Sequence, residues 1–162
     1  MTSQDLEVVF ALEGERNPRS LKAHPDSSVA DFIALVVKDT GREEFVEVLI
    51  EDEEVVVPGE KPIRELFEAD FKLIHVATKG EIKVTVQYST RAVSHHFRPS
   101  ATMEKIIRWA ISPKELNLEG GPEDFQLKDG NDVLPADVHL GQVAKGHKHV
   151  TLTLVFKVKP QG

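Results

Sequence analysis

The feature that most constrains this 162-residue sequence is an internal repeat. Pro25 is followed by Val29, Phe32, Ile33, Val36 and Val37, and Pro99 by Met103, Ile106, Ile107, Ala110 and Ile111. The differences 99 − 25, 103 − 29 and 106 − 32 all equal 74. Within each set the apolar residues fall at i, i+3, i+4, i+7 and i+8, one face of an amphipathic helix. A hydroxyl residue precedes each run, Ser28 and Thr102, placed to accept a bond from an unpaired N–H of the first turn. Ser28 with Asp31 forms a capping-box pattern, whereas Thr102 faces Lys105 and has no such partner. Gly41 is placed to stop the first helix and Pro113 the second.

Strand patterns flank each helix. Leu6, Val8, Phe10 and Leu12 open the first half, and Leu21 and Ala23 fall in a second strand. In the second half Ile82, Val84, Val86 and Tyr88 alternate with polar residues, then Val93, His95 and Phe97 follow. Polar turns, Gly14 to Pro18 and Ser89 to Arg91, join these pairs. After the first helix, strands are expected at Phe45–Ile50, at Val55–Val57 beyond the acidic tip Glu51 to Glu54, and at Phe71–Thr78. After the second, Phe125–Lys128, the Asp129-Gly130-Asn131 turn and Val133-Leu134 form a hairpin, and Val150–Val158 closes the unit. The fold class is therefore α+β: residues 1–79 and 80–162 each form a mixed sheet with one packed helix, linked only by Lys79-Gly80. A single α+β domain would make the repeat accidental. Ferredoxin-like units would need a second helix in each half that the pattern does not show.

Residues that carry a family likeness appear at this point. Pro99-Ser100-Ala101-Thr102 resembles the helix approach of ubiquitin, and Phe125-Gln126-Leu127-Lys128-Asp129-Gly130 its strand and glycine turn. Asp137-Val138-His139-Leu140 resembles its short helical turn, and Thr151 to Gly162 its final strand and tail. The first half is similar in plan. Two such units look like the interferon-induced tandem modifier of animals. In a cysteine-free chain they resemble most the BilA-type ubiquitin-like modifiers of bacterial antiphage conjugation operons. The resemblance implies two tandem β-grasp (ubiquitin-like) domains forming a protein modifier rather than an enzyme. It further implies an isopeptide bond from Gly162 to target-protein lysines. The implied partners are an activating (adenylating) enzyme, a conjugating enzyme and a metalloprotease-type deconjugating enzyme, with no cofactor of its own. Glycine suits that end because a tail without Cβ threads a narrow channel. The tail Lys157-Val158-Lys159-Pro160-Gln161 leads to one glycine where ubiquitin has two, and Pro160 stiffens it. Were the natural chain longer, a protease would have to expose Gly162. The resemblance also implies an apolar partner-binding patch at Leu127 and Val155, beside Gly130 of the hairpin turn, with Thr90 to Ala92 at the first turn. A non-covalent adaptor of tandem modules and a sulfur carrier are the other classes this fold allows.

Composition narrows the remaining chemistry. No cysteine is present, which excludes disulfides, thiolate zinc sites, thiol catalysis and a self-borne thioester. Residues 1–79 hold 18 acids and 9 bases, and residues 80–162 hold 9 acids and 11 bases. Neither half has the dense basic face that nucleic-acid binding requires. No apolar run reaches membrane-spanning length, and the start lacks a secretory pattern, so a cytoplasmic location is expected. His147 with His149 and His95 with His96 invite a metal reading, but nothing in their spacing brings three ligands together. Period-2 counting instead points His95 inward beside Val93 and Phe97. A Ser94, His96 and Asp137 triad lacks any local signature. Trp109 is expected to be partly buried against the core.

Overall fold

The computed structural model describes residues 4–53, 55–67 and 73–157. The chain divides into two units, Met1–Gly80 and Glu81–Gly162. The first unit contains β1 (Leu6–Leu12), β2 (Arg19–Ala23), α1 (Val29–Thr40), β3 (Phe45–Ile50), a 3-10 turn (Ile63–Phe67) and β4 (Ile74–Thr78). The second contains β5 (Ile82–Tyr88), β6 (Arg91–Phe97), α2 (Met103–Ile111), a 3-10 turn (Pro122–Asp124), β7 (Phe125–Asp129), β8 (Asp132–Leu134), α3 (Leu140–Ala144) and β9 (His149–Phe156). Strand order is β2-β1-β4-β3 in one sheet and β6-β5-β9-β7-β8 in the other. In both, the opening strand pairs antiparallel with the second strand and parallel with the last. A mixed sheet with one helix across it is the β-grasp arrangement, and it occurs twice. No helix among the described residues is long and apolar enough to cross a membrane.

Each helix starts where its hydroxyl residue sets it. Ser28 Oγ accepts from Asp31 N–H at 3.1 Å, and the Asp31 carboxylate accepts from Ser28 N–H at 3.1 Å. Thr102 Oγ1 accepts from Lys105 N–H at 3.2 Å, without the reciprocal bond. Gly41 ends α1 at φ 70°, a left-handed conformation that costs glycine nothing, and its N–H bonds Val37 O. Ser112 ends α2 in an extended conformation because Pro113 disfavours a helical residue before it.

The repeat extends to backbone hydrogen bonds that the sequence does not display. Val29 N–H bonds Lys61 O, Ala30 N–H bonds Gly59 O, Ile63 N–H bonds Ser27 O and Arg64 N–H bonds Pro25 O, all within 3.0 Å. The counterparts are Met103 to Val138, Glu104 to Ala136, Leu140 to Ala101 and Gly141 to Pro99, also within 3.0 Å. These bonds use first-turn N–H groups that a helix cannot satisfy internally, and they clasp the helix start to the loop leading to the last strand.

Each unit has its own core. Phe32 from α1 meets Phe10 from β1 edge-to-face at 5.3 Å, with Val8, Val36, Val48, Ile63 and Val76 around them. Ile106 from α2 packs among Val84, Ile107, Leu127, Leu140 and Leu152. Phe32 and Ile106, separated by the repeat distance, are both fully buried.

Two strands differ from expectation. The pairing expected at Val55–Val57 is reduced to a single bridge, Leu49 with Val56, plus a bond from Val57 N–H to Val48 O. Pro58 follows at once and has no N–H to continue a ladder. The closing strand β9 stops at Phe156, while Phe71 and Val158, the expected outer limits of two strands, lie outside the described residues.

Truncating Ile106 to alanine should cost about 2–5 kcal/mol in denaturant unfolding, as removing a fully buried branched side chain does. Ser28→Ala, which removes the reciprocal cap, should cost about 1 kcal/mol.

Candidate partner-binding surface

Strand parity decides which side chains of the second unit meet solvent. In β9, Leu152 and Leu154 point to the core, while Thr151 and Thr153 are exposed and Val155 is half-buried. The register pairs Leu127 with Leu154 and Gln126 with Val155. Directly paired residues of neighbouring strands share a face. Leu127 therefore faces inward and is fully buried, while Gln126 accompanies Val155 on the outer face. This corrects the expectation that Leu127 lies with Val155 on one exposed patch. The two residues occupy opposite faces of the sheet. The outer face at this end carries Gln126, Lys128, Val133, Thr153 and Val155; Val133 pairs with Lys128 and is 49% exposed. Val133 was not singled out in the sequence, and only the pairing of β8 with β7 places it on this face.

Gly130 sits at the exposed tip of the β7–β8 hairpin, at the first position of a two-residue turn, with φ 62°. Asn131 has no positive φ, so the turn has the type II′ pattern, which requires glycine at that first position. At the other turn Thr90, Arg91 and Ala92 are exposed. Arg91, however, is already committed: its guanidinium donates to Leu116 O at 2.8 Å and to Glu115 O at 3.3 Å.

At the root of the tail, Phe156 is 58% exposed and its ring meets Phe125 edge-to-face at 5.4 Å. Lys157 N–H donates to Asp124 O at 2.7 Å, the last such bond along the described residues. A concavity of about 350 Å³ opens beside it, lined among others by Glu104, Ile107, Glu123, Phe125, Pro135 and Lys157. Val158, Lys159, Pro160, Gln161 and Gly162 lie outside the described residues.

The histidines take other roles. His95 stands on the core side of β6 but is exposed, a correction to its expected burial. It lies at the sheet edge, against the rings of Phe97 at 4.9 Å and Trp109 at 5.5 Å. Trp109 is half-buried against the core, as its helix position implied. His149 Nε2 lies 3.1 Å from Thr85 Oγ1, and Ser94 Oγ lies 2.8 Å from the same hydroxyl rather than beside an activating imidazole.

Parity makes a testable distinction. Leu127→Ala should destabilise the second unit by about 2–5 kcal/mol. Val155→Asp or Val133→Asp on the outer face should shift stability by no more than about 1 kcal/mol. Thermal and denaturant unfolding of the three variants measures the difference.

A protein-family model described as BilA ubiquitin-like domain 2 matches residues 83–157. A comparison with curated proteins gives no match. Among solved structures, the chain is similar to Caldiarchaeum subterraneum ubiquitin at 14% identity and a TM-score of 0.41, over 51% of this chain and 100% of that one. The family match runs from the opening strand of the second unit to the root of its tail, the span whose strand order and hairpin are described above. The second unit, over residues 83–157, is thus similar to BilA ubiquitin-like domain 2.

Proposed function

We propose that this protein is a modifier joined through the carboxyl group of Gly162 to lysine amines of target proteins, in bacterial antiphage defence. The observation that carries the reading is the match of residues 83–157 to a BilA ubiquitin-like domain. The placement of β9 supports it. This strand lies in the interior of its sheet, laddered on both sides by β5 and β7, and it leads into the tail. A tail rooted in a central strand gives partner enzymes a rigid body to hold while the chain end is worked on.

The chemistry divides between this chain and its partners. A carboxylate is a poor electrophile, so an activating enzyme joins the Gly162 carboxylate to the α-phosphate of ATP and releases pyrophosphate. A cysteine thiolate of that enzyme then displaces AMP, and the thioester passes to the thiol of a conjugating enzyme. A target lysine, deprotonated, attacks the carbonyl, and the thiolate leaves. This chain has no cysteine, so every thioester sulfur belongs to a partner. A deconjugating metalloprotease reverses the last bond by hydrolysis. Lys157 is exposed at the root of the tail. Its charge, with that of Lys159, favours approach to an acidic groove, and added salt weakens that attraction.

Incubation with ATP and the candidate activating and conjugating enzymes should yield a covalent adduct visible by intact-mass spectrometry. Deleting Gly162 should abolish the adduct and leave the fold unchanged. If the shortened chain is conjugated as well as the full one, the adaptor reading replaces the modifier reading.

A further inference from the structure

The outer face of the second sheet has a distinct end, opposite the one that leads to the tail. Register sets His96, Lys83 and His149 side by side across β6, β5 and β9. Ser94, Thr85 and Thr151 form the next row in the same three strands. Both rows share the parity of Thr153 and Val155, so their side chains stand on the outer face. Thr85 is half-buried and the other five are exposed. Directly paired residues of neighbouring strands lie about 5 Å apart, so the two rows make one compact polar cluster. Ser94 Oγ lies 2.8 Å from Thr85 Oγ1, which in turn lies 3.1 Å from His149 Nε2.

The cluster offers donors with nothing acidic among them. Lys83 contributes an ammonium, His96 and His149 imidazoles, and Ser94, Thr85 and Thr151 hydroxyls. The Lys83 and His96 side chains have no hydrogen-bond or ion-pair partner among the described residues. No carboxylate stands on the outer face of any of the five strands, in a chain of net charge −7. The hairpin acids Asp129 and Asp132 pair with one another at the opposite parity to Lys128. Glu81, just before β5, is the nearest acid along the chain, and the register carried one step further sets it opposite Arg98. His147, just ahead of β9, is exposed and shares the parity of His149. Such a set suits an oxyanion. A phosphoryl group carries about −1.5 to −2 charges at pH 7 and three acceptor oxygens, so it takes an ammonium and several neutral donors at once. The cluster lies on an open sheet face, whereas free small ligands are held in concave sites. A group presented by another protein fits better, because the rest of its segment can lie along the sheet.

We infer that the cluster of Lys83, Thr85, Ser94, His96 and His149 binds a phosphorylated serine or threonine presented by a partner protein. The contact is non-covalent, sits at the opposite end of the sheet from Val155 and the tail, and does not depend on the conjugation chemistry. It makes recognition of this protein responsive to the phosphorylation state of the partner.

The test uses the full chain and a fluorescein-labelled peptide of alanine and glycine with one central phosphoserine. Titration by anisotropy should saturate below about 1 mM. Backbone amide shifts should fall on residues 83–85, 94–96 and 149–151. The same peptide without phosphate, and one with glutamate in place of the phosphoserine, should each bind roughly tenfold or more weakly. Inorganic phosphate should displace the peptide only at roughly tenfold or more above the peptide's own Kd. Lys83→Gln, which removes only an exposed ammonium, should preserve the unfolding transition and weaken binding by roughly tenfold. The double variant Ser94→Ala, His149→Ala removes exposed donors of the same cluster and should weaken binding by a similar factor. Absence of saturation, amide shifts elsewhere, equal affinity for the unphosphorylated or glutamate peptide, or unchanged affinity in either variant overturns the proposal. Displacement by inorganic phosphate at the peptide's own Kd marks a site for the free ion and overturns it as well.

Discussion

A helix start leaves N–H groups that no turn of the helix can satisfy, and each unit here solves that problem with the same loop. The first two amides of α1 donate to Lys61 and Gly59, and those of α2 to Val138 and Ala136. The same loop then donates back, to Ser27 and Pro25 in one unit and to Ala101 and Pro99 in the other. This clasp fixes the helix against the chain that leads to the last strand. That last strand pairs parallel with the opening one, so helix position, crossover and sheet are set together. Breaking any of these bonds strands a donor or acceptor, at about 1–3 kcal/mol for a buried group. The core faces of all the strands follow from where the helix is held.

Much of this was legible in the residues because the signals were local. The 3.6-residue stripe marked both helices, Ser28 and Thr102 marked their starts, and Gly41 and Pro113 their ends. Alternation located β1, β5 and β9 for the same reason: one wet face and one dry face write a period of two. The clasp itself was invisible, since backbone groups carry no sequence signature. Leu127 was misplaced for a different reason. A resemblance supplies the residues of a surface patch, but in a strand a shift of one position moves a side chain through the sheet. Only the pairing of Leu127 with Leu154 resolves the parity. His95 shows the converse limit. Its side of the strand was readable, yet an edge strand does not bury what its parity points inward.

Holding the helix at its start leaves its flank beside the edge strand free to change. At the two positions that face each other there, one unit has Leu21 and Leu35 and the other has His95 and Trp109. An indole spanning helix and strand adds contact area and fills the space between them. Two leucines leave that space open. The units can differ here without disturbing the clasp, because none of the four residues takes part in it. The surfaces that distinguish the two units are therefore side-chain surfaces on a shared backbone device.

The outer face of the second sheet follows the same logic with a different outcome. Thr85, Thr151, Thr153, Ser94 and Gln87 make it largely polar, with Val133 and Val155 as its apolar points near the tail's root. A polar face of this kind recognises partners mainly by position and hydrogen bonding, because the apolar area it can bury is small. A charged residue at Leu127 would unfold the core and reveal nothing about docking. The same change at Val155 or Val133 removes apolar contact from a face that already meets water, so a loss of partner binding there reports on the surface itself.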